Sequence, residues 1–287
     1  MMEKLKVDNF INKAFGNTSV DSFTLREDEY RKDNMIYCKN CDTPRTCYLT
    51  EQTIVRCICK CQEIDRDEKL RKEEENKRLM KLEKIKKASL IGERYKNTSF
   101  ENTELGRNTT FDTAFKRCKK YCEVSEMVLD EGMGIYLYGD KGTGKTHLMS
   151  CIANDLMNKG YQTLFTNFFE ISKMIRSSFG SASVNENEYI DRLATIDFLF
   201  IDDLGTERVK TNEGDLWLQE KIFDVLNKRY NMKKPTIFTS NHSLRELISE
   251  RGFMEKTIDR IAEMSTAIIK VEGSSYRLEN RKKEIPF

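Results

Sequence analysis

Apolar and polar positions change their period several times along the chain. Residues 1–37 mix the two, and the spacing from Glu3 to Phe15 predicts an amphipathic helix. Residues 65–87, DRDEKLRKEEENKRLMKLEKIKK, contain neither Gly nor Pro and offer only Leu70, Leu79, Met80, Leu82 and Ile85 as apolar positions. Their alternating charge blocks predict an exposed helix joining two modules. A solvated linker is the simpler reading of it, and a partner- or DNA-binding face the alternative. From about residue 95 strand and helix patterns alternate. GIYLYG (134–139) reads as a short buried strand, followed by a glycine loop and a helix, THLMSCIANDLMNKG, that ends at Gly160. QTLFT (162–166) is the next strand and FFEISKMIRSSF the next helix. IDFLFID (196–202) is nearly continuous in apolar residues, as expected of a parallel sheet covered on both faces. LWLQEKIFDVLNKRY then reads as a helix and PTIFTSN as a fourth strand. Alternation of this kind predicts a three-layer α/β sandwich.

Length and composition narrow the reading. The 287 residues suit one full-sized domain and a smaller module. The net charge is only +2, so nucleic-acid binding requires a local basic surface rather than a global field. Lys173 and Arg176, near one face of the FFEISKMIRSSF helix with aromatics beside them, are candidates to follow a single-stranded backbone. An amphipathic core helix with solvated charges explains them equally well. No apolar run approaches the roughly 18–20 residues that span a bilayer. The N-terminal MMEKLKVDNFINKAF has no secretory apolar core, so the expected location is cytoplasmic, with no membrane partner.

Six of the nine cysteines fall between residues 38 and 61. In a reducing compartment they suggest a metal or packed thiols rather than disulfides. They read Cys38-x-x-Cys41, then Cys47, then Cys57-x-Cys59-x-Cys61. Thiolates at such spacings suit tetrahedral Zn²⁺, and a module too small for its own core needs such a staple. Cys38 and Cys41 form the firmer pair. Two of Cys57, Cys59 and Cys61 close the site, and the spacing does not choose between them. An iron–sulfur cluster or redox thiols are the alternatives. Cys118, Cys122 and Cys151 lie on helical patterns and read as packed thiols.

The strongest chemical signal is Gly139-Asp140-Lys141-Gly142-Thr143-Gly144-Lys145-Thr146, which matches G-x-x-x-x-G-K-T between a strand and a helix. Its glycines let successive N–H groups point at phosphate oxygens, and the following helix adds its positive end. Lys145 is placed to reach the β- and γ-phosphates of ATP, and Thr146 to ligate Mg²⁺. His147 adjoins the loop and, like His242, reads as a packing residue beside the site rather than as a ligand. FLFIDDLG supplies the matching carboxylates: Asp202 to hold Mg²⁺, Asp203 to orient or deprotonate the attacking water. Asn241 ends the next apolar strand, where its amide can reach the γ-phosphate or that water.

These segments resemble the AAA+ ATPases, and more narrowly the DnaC/DnaI-type helicase loaders and their IstB-like relatives. The resemblance runs from about Tyr95 to Arg277 and rests on YLYGDKGTGKTHL, FLFIDDLGTE, NKRYNMKKPTIFTSN and GSSYR. The cysteine-rich stretch, the charged helix and IGERYKNTSFEN also look like loaders from Gram-positive bacteria and their phages. The resemblance implies an AAA+ sandwich with a parallel sheet and no C-terminal lid domain, ten residues after Arg277 being too few for one. It implies domains at 1–64 (zinc-binding, gripping the helicase), 65–94 (helical linker) and 95–287 (ATPase), and the exposed charged helix at 65–87, with few apolar residues to bury, favours a cut near Lys87. Arg260, in TIDRIAEMS, matches an arginine that reaches a neighbouring subunit's γ-phosphate, and Arg277 one that senses nucleotide within its own subunit. Self-association dependent on ATP follows. Lys256 stands where related loaders often carry another arginine, and Asp203 where many such ATPases have Glu, which leaves the rate of hydrolysis open. The expected function is ATP-dependent delivery of a replicative hexameric helicase onto single-stranded DNA. A transposition helper of the IstB type and a non-hydrolysing adaptor are the rival readings.

Overall fold

The computed structural model describes residues 19–50, 53–106, 108–167, 169–171, 173, 186–206 and 213–276. The helix expected at residues 3–15 lies outside them. The chain divides into two units, Met1–Leu79 and Met80–Phe287.

In the first unit, β1 (Glu29–Lys32) and β2 (Met35–Cys38) pair antiparallel. Asp33 and Asn34 join them with φ of 48° and 60°, the left-handed backbone that a two-residue hairpin turn requires and that Asp and Asn tolerate. β3 (Thr46–Thr50) and β4 (Thr53–Arg56) form a second antiparallel pair. Among the described residues, the apolar core here is Val20, Ile36 and Ile54 with Phe23 against them. So small a core cannot offset the entropy of ordering the module, which is the physical reason to look for a staple. Helix α1 (Lys60–Ala88) follows and passes through the division between the units. Leu70, Leu79 and Met80 are exposed along it, as its charge pattern predicts. Its last turn belongs to the second unit, where Ile85 and Ile91 join the core.

The second unit continues with α2 (Thr109–Glu123), α3 (Ser125–Glu131), β5 (Gly134–Tyr138), α4 (Lys145–Asn158), β6 (Thr163–Asn167) and α5 (Glu186–Thr195). It ends with β7 (Phe198–Leu204), α6 (Glu213–Asn231), β8 (Thr236–Ser240), α7 (Leu244–Ser249), α8 (Glu255–Met264) and β9 (Ser265–Lys270). The sheet order is β6-β7-β8-β5-β9, and every neighbouring pair is parallel. Alternation along the strands makes the layers. Ile135, Leu137, Phe198, Phe200 and Ile237 pack into one cluster with Phe115 of α2 and Leu148 and Ile152 of α4. Tyr136, Leu199, Ile201 and Phe238 pack into the other with Ile222 of α6 and Ile258 and Ile261 of α8. This is the expected sandwich, and its strand order is that of an AAA+-like fold.

Several elements were not legible in the pattern. Helix α8 runs straight into β9, Ser265 serving as both its C-cap and the first strand residue, with no Gly or Pro to punctuate the change. Helices α2 and α3 abut at Val124, which caps one and precedes the other. Phe169–Ile171 and Lys173 are helical as expected, with Lys173 exposed; Arg176 lies outside the described residues.

Candidate functional site

The parallel sheet delivers its chemistry at the C-terminal ends of β5, β7 and β8, beside the N-terminus of α4. After Tyr138 the chain turns through Gly139, whose φ is 140° and where a Cβ would strike the Val271 carbonyl. Gly144 caps α4 with φ of 97°, and a Cβ there would lie 2.6 Å from the Phe111 ring. Both positions therefore demand glycine. The loop opens into a cleft of about 940 Å³ lined by Lys141, Thr143, Lys145, Asp203, Asn241 and Tyr276, among others.

Lys145 is buried, and its ammonium donates to the Gly139 carbonyl (2.8 Å), the Asp140 carbonyl (2.7 Å) and Asn241 Oδ1 (3.0 Å). Thr146 donates from Oγ1 to Asp202 Oδ1 at 3.1 Å. Thr239 of β8 also donates to Asp202, and its hydroxyl accepts the Asp203 N–H at 2.9 Å. Burial raises the Asp202 carboxyl above the ordinary aspartate range, opposed by the hydroxyls of Thr239 and Thr146. Asp203 has φ of 53°, which turns its exposed side chain out at the cleft. The loop, both carboxylates and Asn241 are thus brought together, with hydroxyl and carboxylate oxygens suited to Mg²⁺ and a cation suited to phosphate. His147 is half-buried, Nε2 lying 2.8 Å from Thr103 Oγ1, and burial lowers its pKa. Its imidazole ties α4 to the segment before α2 while also lining the cleft.

Two expected residues stand apart. Arg260 donates from Nη1 to Glu263 at 2.6 Å, lies 4.0 Å over the Tyr230 ring, and does not line the cleft. Arg277 lies outside the described residues, although the Tyr276 N–H donates to the Gly142 carbonyl at 3.0 Å and brings the chain to the loop. Thr239 and Thr103 were missed. Thr239 is one hydroxyl among several in TIFTS, and only strand register shows which of them reaches Asp202.

In the first unit Cys38, Cys41, Cys59 and Cys61 bring their sulfurs within 4.8 Å of one another. Tetrahedral Zn²⁺ with bonds of about 2.3 Å sets sulfurs about 3.8 Å apart. The closest contacts here, 3.2 Å for Cys59–Cys61 and 3.6 Å for Cys38–Cys61, lie near that value. The donor set fits the metal. Of the three cysteines left open by spacing, Cys57 is the one outside the group. Its thiol donates to the Pro44 carbonyl at 3.6 Å and lies beside Cys47, and burial pushes it up to about 11. Cys59 sits just before α1, where Gln62 Oε1 accepts its N–H at 3.3 Å, so the helix start fixes the second thiol pair. Cys118, Cys122 and Cys151 are packed in the core of the second unit, as expected.

Fold and site together define a phosphate-loop nucleotide-binding domain of AAA+-like architecture. Residues 64–284 match the family described as IstB-like ATP binding proteins, and the chain belongs to that family. The replicative helicase loader DnaC of Escherichia coli is 25% identical over 205 residues, covering 71% of this chain and 79% of its own. The replicative helicase loader DnaI of Bacillus subtilis is 30% identical over 158 residues, 51% of this chain and 48% of its own. A crystal structure of DnaI shares the fold, with a TM-score of 0.52 at 22% identity over 65% of this chain and 94% of that one.

Proposed function

We propose that the chain is an ATP-dependent loader that delivers a replicative hexameric DNA helicase onto single-stranded DNA. The observation that carries this reading is the pairing of Lys145 with Asn241 and of Thr146 with Asp202 at the phosphate loop. It occurs in a chain whose relatives, over most of the same segment, are named replicative helicase loaders. When ATP enters, Lys145 exchanges its carbonyl partners for β- and γ-phosphate oxygens, and Asn241 turns to the γ-phosphate or the attacking water. Thr146 and Asp202 would hold Mg²⁺, which would supply withdrawal of charge from the phosphates. Asp203 orients or deprotonates the water. Arg260 acts on a neighbouring copy after leaving Glu263 and Tyr230, and Arg277 on its own nucleotide, so ATP favours self-association. Cys38, Cys41, Cys59 and Cys61 hold one Zn²⁺ that staples residues 1–64, the part that grips the helicase.

The short Asp203 side chain favours one second reading, a non-hydrolysing adaptor in which ATP only stabilises the complex. Phosphate release on adding single-stranded DNA separates the two. Stimulated turnover supports the loader, whereas tight ATP binding without turnover supports the adaptor.

A further inference from the structure

The four-thiolate group has a charged neighbour that metal-ligand spacing does not reveal. Arg45 is buried, its side chain 4% exposed, between the sulfurs and two carboxylates. Its Nε donates to Cys59 Sγ at 3.4 Å and its Nη2 to Cys38 Sγ at 3.4 Å. The same Nη2 also meets Asp28 at 2.6 Å, Nη1 meets Glu29 at 3.3 Å, and Glu29 also accepts from Arg56 at 2.6 Å. Four thiolates around one divalent cation leave two negative charges in excess. A guanidinium cannot lose its proton under ordinary conditions, and its planar fork reaches two sulfurs at once. The carboxylates hold that fork in place, so its aim at Cys38 and Cys59 does not depend on the metal.

The other two sulfurs are served differently. Cys41 Sγ lies 2.9 Å from Thr43 Oγ1, and that hydroxyl accepts the Lys60 N–H at 3.0 Å, which directs its own proton to the sulfur. This donor is neutral, and Cys41 and Cys61 are half-buried whereas Cys38 and Cys59 are sealed from solvent. Charge-assisted hydrogen bonds are about twice as strong as neutral ones, and a thiolate that receives one is the poorer nucleophile.

We propose that Arg45 is the built-in counter-ion of the metal centre and divides its thiolates into a sealed pair, Cys38 and Cys59, and an attackable pair, Cys41 and Cys61. The inference rests on the four-cysteine zinc reading above. An electrophile enters at Cys41 or Cys61: the sulfur lone pair forms a C–S bond to a maleimide alkene carbon, water protonates the neighbouring carbon, and the metal loses that ligand. Cys38 and Cys59 become reactive only after the metal has left.

The test uses the full chain as purified, with N-ethylmaleimide as probe, a zinc-indicator dye to follow release, and mass spectrometry to map alkylation. Exposed Cys47 serves as the accessible reference thiol and labels without zinc release. The expected result is early labelling of Cys41 and Cys61 in step with zinc release, and late labelling of Cys38 and Cys59. Labelling of Cys38 or Cys59 as early as Cys41 and Cys61 would overturn the proposal. A chain that purifies without zinc defeats the metal reading and this proposal with it, whereas a zinc-loaded chain with unordered labelling defeats the proposal alone. Arg45→Met should weaken zinc affinity about 10- to 100-fold in chelator competition and erase the order of labelling. Because Arg45→Met also takes one cationic partner from each of Asp28 and Glu29, Arg45→Met combined with Glu29→Gln and Asp28→Asn removes that imbalance and should still lose the order. Asp28→Asn with Glu29→Gln alone should keep it. Unchanged affinity and order in both Arg45→Met proteins would show that Arg45 is only a structural ion-pair partner.

Discussion

Lys145 makes two hydrogen bonds inside its own loop and one to Asn241, so it stands at the phosphate position before any nucleotide arrives. Its charge is needed only there. Lys145→Ala should abolish ATP binding while residues 1–79 keep their zinc, measured by nucleotide titration and elemental analysis on the same sample. Asp202 gives a pH dependence with a definite sign. Its carboxyl is raised by burial, so the folded chain holds that proton more tightly than the unfolded chain does. The nucleotide-free protein should therefore lose stability from this group as pH rises through its raised pKa, above the ordinary aspartate range. Asp202→Asn should melt higher than wild type at neutral pH and lose this dependence; an unchanged melting profile would contradict the burial argument. At this scale the sequence was readable wherever one motif carries its own geometry. The loop from Gly139 to Thr146 was legible because backbone and side chains act in a contiguous run. Thr239 and Arg45 were not, because their partners are brought to them by strand register and by a hairpin.

Elements behave similarly. The charged helix and the strands β5 to β8 were legible from period alone, while β9 was hidden because no breaker separates it from α8. Arg229, on α6, shows what pattern reading loses. It is fully buried, and donates to the carbonyls of Leu193 (2.8 Å), Ile196 (2.9 Å) and Pro235 (2.5 Å) and to Thr236 Oγ1 (2.9 Å). In sequence it is one more cation beside Lys228 near the end of a helix. In the fold it binds the end of α5 to the starts of β7 and β8, and so fixes the strands whose far ends carry Asp202 and Asn241. Arg229→Met leaves those carbonyls without their donor and should cost at least about 3 kcal/mol in chemical denaturation. A loss below about 1 kcal/mol would mean that water or neighbouring groups replace it.

At the scale of the whole molecule, the division at Leu79 and Met80 offers a second place to cut the chain besides Lys87. A break near Lys87 would strand Ile85 and disturb Ser89, whose carbonyl accepts the Phe165 N–H at 2.6 Å. A break after Leu79 falls where α1 is exposed. Fragment 1–79 with zinc should bind the helicase without ATP. Fragment 80–287 should bind ATP and, more weakly, single-stranded DNA, yet load nothing. Calorimetry showing all helicase affinity in 80–287 would reassign the cysteine module to a cap or a DNA contact. No described helix is long and apolar enough to cross a membrane.

Helicase delivery is tested by mixing the purified full chain with a replicative hexameric helicase and a circular single-stranded DNA. Helicase retained on the circle is then counted with ATP, without ATP, and with Lys145→Ala. A stable chain–helicase complex should form in all three, with ATP-dependent deposition on DNA only for the wild-type chain. A chain that fails to retain the helicase and instead captures a transposase, or deposition that is the same without ATP and with Lys145→Ala, would contradict it.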